Sequence, residues 1–255
     1  MRTDSVQIFG LPCAGGSAAF FGHIAADLPE YKVTPIEYPG HGKRFSESFA
    51  ANFSELADDS FRKLCESLDC RTYALFGYSM GCIVAIELLR RILNSGMMPP
   101  ECVILAAHAL SSHSYLCGEL QSLSDEAVKA ITLRFGGIPE QLVRNAAFWR
   151  LYTPMYRADY ELLLSYRYDS GIKTQIPALI FYAEADTPLK DVENWRSVFT
   201  GDCHFMPMEG THFFINDSHA LMAEKIRQIV PTQKVFIFRR RANQDQETIK
   251  WLISD

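Results

Sequence analysis

No stretch of the 255-residue chain approaches the roughly 20 consecutive apolar residues that a membrane helix needs, so no membrane span is expected. Positive charge is not in excess either. The 25 Lys and Arg residues against 30 Asp and Glu leave a net charge of −5, which offers no field to draw nucleic acid or anionic lipid. The cysteines, Cys13, Cys65, Cys70, Cys82, Cys102, Cys117 and Cys203, are odd in number and form no CxxC pair, which speaks against a disulfide framework and a zinc site. The apolar run at 6–11 is too brief for a secretory leader, and with the scattered cysteines it predicts a cytoplasmic protein. Internal repeats, low-complexity tracts and long Gly/Ser linkers are also missing, so nothing marks a boundary between separate domains. What remains, 48% apolar and 22% charged residues, is the composition of an ordinary globular chain.

Apolar runs at 6–11 and 32–38, closed by Pro12 and by Pro39-Gly40, predict strands, with a helix over 20–28 between them. Phe53, Leu56, Ala57, Phe61, Leu64, Cys65 and Leu68 recur at the i, i+3, i+4, i+7 spacing of one buried helix face. A buried strand at 73–76, a helix at 82–93 stopped by Asn94-Ser95-Gly96, and a strand at 102–107 follow. Residues 108–170 then carry amphipathic helical pieces at 124–135, 141–151 and 158–168 and no convincing strand. Alternation resumes with a strand at 178–183, a helix at 192–199, a strand at 203–208 and a helix at 218–229. Strands alternating with helices predict an α/β fold with a mostly parallel central sheet covered by helices on both faces. One domain is expected over 1–255, with 108–170 as a helical lid insertion and 232–255 as a C-terminal extension.

Gly77-Tyr78-Ser79-Met80-Gly81 matches GxSxG, the nucleophile elbow, in which small residues flank a serine raised on a tight strand-to-helix turn. Its position between the strand at 73–76 and the helix at 82–93 is the setting the motif requires. Serine at its ordinary pKa is a poor nucleophile, so a histidine base and an orienting carboxylate must reach it, in the chain order Ser, Asp or Glu, His. Among the late histidines, His204 falls inside a strand and His219 near a helix start, whereas His212 follows the last strand across a short turn. His212 is therefore the candidate base. The loop after the strand at 178–183 offers Glu184, Asp186 and Asp191; Asp186 is favoured as the acid, with Glu184 its rival. Backbone donors for the oxyanion are expected from Met80 and from the early loop Leu11-Pro12-Cys13-Ala14-Gly15-Gly16-Ser17. That loop has neither the GxGxxG spacing nor the GK[ST] ending of a phosphate cradle.

The combination LPCAGGSAAFF, EYPGHGKR, ALFGYSMG, LSDEAV with FGGIPE, YRADYELLLSYRY and EGTHFFI, in that order over about residues 6–230, resembles type II thioesterases. These are the freestanding α/β-hydrolases that accompany polyketide synthases and nonribosomal peptide synthetases. The resemblance implies an α/β-hydrolase fold, Ser79 as nucleophile, Asp186 as acid and His212 as base, with the Ala14 and Met80 amides forming the oxyanion hole. It implies hydrolysis of acyl thioesters from the phosphopantetheine arm of an acyl- or peptidyl-carrier protein, with no cofactor and no metal, by what is expected to be a monomer. Two departures from the family pattern stand out: Tyr78 occupies the place of a usual His, and GHGKR replaces a GRQDR-like loop.

Other residues take plainer readings. Arg90 and Arg91 read as an exposed helix end, His108 and His113 as a lid entrance, and Arg239, Arg240 and Arg241 as part of a solvated appendage. Phe148, Trp149, Tyr152 and Tyr156 suit either an acyl pocket or helix packing. A carboxylesterase or acyltransferase would use the same three side chains, and a catalytically silent carrier-binding module is a further alternative.

Overall fold

The computed structural model describes residues 3–110, 123–169, 171–230 and 232. Six strands, β1 Thr3–Leu11, β2 Lys32–Pro35, β3 Cys70–Tyr78, β4 Cys102–Ala106, β5 Ala178–Tyr182 and β6 Cys203–Pro207, form one sheet in the order β2-β1-β3-β4-β5-β6, and every neighbouring pair is parallel. The chain steps outward from β1 to β2, then returns to place β3 on the other side of β1. The loops leaving the carboxyl ends of β1 and β3 thus diverge from a topological switch point, where open parallel sheets hold their ligands.

Successive strand residues point to opposite faces, and both faces of this sheet are buried. Phe9, Tyr73, Leu75, Val103, Leu105 and Ile180 enter one apolar cluster; Ile8, Ala74, Phe76, Ile104, Leu179 and Phe181 enter the other. The first cluster is completed by α2 Phe53–Ser67 and α3 Met80–Ser95, the second by α1 Gly22–Asp27 and the final helix Ile215–Ile229. At the start of α2 the Asn52 side chain accepts the Glu55 amide at 2.9 Å while Glu55 reaches back to the Ala51 amide at 2.9 Å, a reciprocal cap that fixes the helix start. Gly96, at φ 73°, ends α3 in the left-handed conformation that glycine adopts without steric cost.

Between β4 and β5 lie α4 Asp125–Phe135, α5 Glu140–Val143 and α6 Ala146–Ser165. Here the structure differs from expectation. The helices expected at 141–151 and 158–168 are a short turn and one 20-residue helix that runs through Pro154. Proline removes an amide and crowds the preceding turn, but Met155, Tyr156, Asp159, Tyr160, Leu162 and Leu163 on the far side are buried, and their packing carries the helix past it. Val128, Ile131, Trp149 and Leu163 of this insertion join the same apolar cluster as α2 and α3. The helix expected at 192–199 is instead α7 Leu189–Val192 followed by a 3-10 turn, Glu193–Ser197. Val192, Trp195 and Val198 are each fully buried, and a repeat of three residues per turn places them on one side. The last helix, Ile215–Ile229, is α8. β2 stops at Pro35, three residues before the expected end.

Candidate active site

Ser79 sits between β3 and α3 with φ 53° and ψ −119°, a conformation costing a non-glycine residue about 1–3 kcal/mol. The surroundings hold it there: the Ser79 amide donates to the Ala106 carbonyl at 2.8 Å, and the Ser79 carbonyl accepts the Cys82 amide at 2.9 Å. The two glycines of the motif are required by space. A Cβ on Gly81 would lie 1.9 Å from the Leu11 carbonyl oxygen, and one on Gly77 would lie 2.3 Å from the Gly81 oxygen, so β1, β3 and α3 approach closely only because these side chains are missing.

The loops after β5 and β6 bring two side chains to this serine. His212 Nε2 is 2.9 Å from Ser79 Oγ, and His212 Nδ1 lies 3.0 and 2.9 Å from the two Asp186 oxygens. A carboxylate on Nδ1 selects the tautomer that carries its proton there and leaves Nε2 to accept from the serine. Glu184 points elsewhere: its Oε1 accepts the Leu189 amide at 3.3 Å, at the start of α7. Tyr78 supplies a brace that the motif does not advertise. Its hydroxyl donates to the His212 carbonyl at 2.7 Å, its ring stacks on Phe213, and burial pushes its pKa well above the ordinary value, so it remains a neutral donor.

A cavity of about 210 Å³ opens on Ser79 and His212 and is walled by Phe20, Ile83, Phe135, Tyr156, Tyr160 and Leu163. Its lining is mainly apolar, and Cys13, Ala14, Gly15 and Gly16 form one rim. Gly15 has φ 67°, and a Cβ there would meet the Tyr156 ring at 2.0 Å. The Gly15 amide donates to Asp159 at 2.7 Å and the Gly16 amide to the Cys13 carbonyl at 3.0 Å. Among the described residues, neither the Ala14 nor the Met80 amide has a protein acceptor.

Of the aromatics singled out in the sequence, Tyr156 lines the cavity, whereas Phe148 stacks on Tyr152 and lies edge-on to Trp149. His108 lines the cavity; its carbonyl accepts the Trp195 indole N–H at 2.9 Å. Arg90 and Arg91 are not a solvated helix end. Arg91 reaches Asp58 at 2.7 Å and Glu87 at 3.1 Å, and Arg90 reaches Asp169 at 3.2 Å, tying α3 to α2 and to the segment after α6. His113, Cys117 and the Arg239–Arg241 cluster lie outside the described residues. Among those described, no helix is long and apolar enough to cross a membrane, and no group of three or more His, Cys, Asp or Glu is placed to hold a metal ion.

A parallel α/β sheet with a serine at the elbow after β3, met by a histidine and a carboxylate from later loops, defines an α/β-hydrolase. The chain belongs to the thioesterase family, since the model described as the thioesterase domain matches residues 6–230. It is 28% identical over 219 residues to thioesterase PikA5 of Streptomyces venezuelae, covering 84% of this chain and 77% of that one. Among solved structures it resembles RedJ, a thioesterase from the prodiginine biosynthetic pathway in Streptomyces coelicolor, with a TM-score of 0.79 and 26% identity over 88% of this chain and 85% of that one. BorB, a type II thioesterase from the borrelidin biosynthetic cluster, superposes with a TM-score of 0.76 at 28% identity, covering 88% and 92% of the two chains. The resemblance to type II thioesterases therefore extends from the motifs to the fold.

Proposed function

We propose that the protein hydrolyses acyl thioesters from the phosphopantetheine arms of carrier proteins, removing stalled or misprimed acyl groups from a polyketide or nonribosomal peptide assembly line. One observation carries this reading: in a chain of the thioesterase family, Ser79, His212 and Asp186 form a continuous hydrogen-bonded series at an apolar cavity. In this reading Ser79 Oγ attacks the thioester carbonyl while His212 Nε2 takes its proton, and Asp186 stabilises the imidazolium that results. The proton then passes to the departing thiolate. The acyl-enzyme is opened by a water that His212 activates, which returns the proton to Ser79.

The negative oxygen of each tetrahedral intermediate needs donors already in place, because a donor that must first reorganise gives back much of its stabilisation. The Ala14 and Met80 amides suit this role, having no acceptor to give up among the described residues. The insertion between β4 and β5 acts as a lid over the acyl chain and belongs to the same domain, a reading supported by its share in the sheet's own core. The test is release of a short acyl group from a phosphopantetheinylated carrier protein by the native enzyme and by Ser79→Ala. Native hydrolysis that falls by at least about 10³-fold in the variant supports the proposal. An intact acyl-carrier alongside rapid cleavage of a simple oxygen ester overturns it in favour of an esterase.

A further inference from the structure

Three segments far apart in the chain converge on one carboxylate behind the Ala14-Gly15 rim. Asp159, on α6, accepts the Gly15 amide on Oδ2 at 2.7 Å, and the same oxygen is 2.9 Å from His41 Nε2. His41 Nδ1 lies 2.9 Å from the Pro39 carbonyl oxygen. Both ionisable residues are 2% exposed, and neither lines the cavity. The protons can be counted. A carbonyl only accepts, so His41 Nδ1 carries a hydrogen, and a hydrogen bond between Nε2 and Oδ2 requires a second proton between them. With Oδ2 also accepting the Gly15 amide, that proton belongs on the imidazole nitrogen, the more basic of the two groups. The pair is an imidazolium held against a carboxylate.

The surroundings favour that state. Burial opposes the charge on His41, but the Asp159 hydrogen bond and charge, the Pro39 carbonyl and the Glu37 charge outweigh it and raise its pKa. The other titratable groups that feel Asp159 stay neutral: burial pushes the Cys13 thiol up to about 12 and lifts the Tyr38, Tyr156 and Tyr160 phenols above their ordinary range. Phe49 and Tyr38 close the imidazole edge-on.

The placement of this pair bears on the site. Asp159 engages the Gly15 amide, and Tyr156, on the same helix, fills the space where a Gly15 side chain would stand. The next amide back along the loop is that of Ala14. We infer that the His41–Asp159 ion pair is a positioning device for the oxyanion hole: it occupies the Gly15 amide, reserves the Ala14 amide for the oxyanion formed at Ser79, and makes the hole depend on the seating of α6. This rests on the proposed hydrolysis at Ser79 and adds two positioning residues to it, neither of which touches the substrate.

Asp159→Asn, His41→Gln and the double variant separate this role from that of a buried staple. In Asp159→Asn a single amide atom cannot accept from Gly15 and also satisfy an unprotonated His41 Nε2. In the double variant it can, because the Gln side chain donates to the Asn oxygen that also takes the Gly15 amide. On a small acyl N-acetylcysteamine thioester, Asp159→Asn should lower kcat at least about tenfold, less than the roughly 10²–10³ that follows outright loss of an oxyanion donor. KM should stay within about twofold, and the double variant should regain most of the loss. Thermal melts correct each rate for folded protein. Labelling of Ser79 by a fluorophosphonate, whose phosphonyl oxygen occupies the same hole, should slow in the same order, and it reports on the hole even if the native protein cleaves no thioester. Failure of native thioester hydrolysis with this labelling order intact would overturn the substrate assignment and leave the positioning role standing. Variants that match the native protein in kcat and labelling rate, or whose losses vanish after correction for folded protein, would show the pair to be a staple only.

Discussion

At the residue scale, the choice between Glu184 and Asp186 shows what a sequence can and cannot carry. Both stand on the loop after β5, and chain order admits either. Their chemistry differs only in what each reaches: Asp186 meets His212 Nδ1 at 2.9 Å, whereas Glu184 accepts a backbone amide at the start of α7. Asp186→Asn should therefore lower kcat by roughly 10³–10⁴, since an amide facing Nδ1 favours the wrong tautomer of the base, while Glu184→Gln should remain within about twofold of native. Steady-state kinetics on one acyl thioester decides it; comparable losses in the two variants would unseat Asp186. Ser79 and His212 were easier to read, because the elbow needs glycines at fixed offsets and the histidine follows the last strand. The Tyr78 brace was not legible. Its partner is the carbonyl of His212, and no side-chain pattern announces a backbone acceptor 134 residues away.

At the scale of elements, all six strands were legible: the inner strands β1, β3, β4 and β5 read as buried apolar runs, and the half-buried edge strands β2 and β6 read from short strand-like runs closed by turn residues. Helices on the insertion were less so. The rule that proline ends a helix rests on local sterics, and α6 breaks it at Pro154 because the apolar residues beyond have a core to enter. Asp159, the residue that reaches the Gly15 amide, lies on that continued stretch, so the helix passes Pro154 before it meets the rim of the site. A consequence can be measured. Pro154 is exposed and leaves the Arg150 carbonyl without its helical donor, so Pro154→Ala should raise unfolding stability by about 1–3 kcal/mol. Urea denaturation gives the difference directly, and a loss of stability would mean that the helix is shaped around the proline ring.

At the scale of the whole molecule, the His41–Asp159 pair links parts that the chain order keeps apart: the loop after β2, the rim after β1, and the insertion between β4 and β5. Ion pairs of this kind make global stability depend on pH, and the sign follows from the His41 shift. Its folded-state pKa is raised above the ordinary value of about 6.5. The contribution is therefore fully present below about pH 6.5 and is lost as pH rises through the folded-state value. Carboxylates such as Asp59, whose pKa is lowered by Arg44 and Arg62 against the cost of burial, act in the opposite sense, and their contributions disappear only in acid. Over pH 6 to 9 the native protein should lose stability relative to the His41→Gln/Asp159→Asn double variant, whose neutral network does not titrate. Chemical denaturation of both proteins across that range isolates the pair, because every other titrating group is common to the two. Parallel pH profiles would mean that folding leaves the His41 proton affinity at its ordinary value, and a native profile that rises with pH would mean that folding expels the proton; either result would require the imidazolium inferred from its two hydrogen bonds to be abandoned.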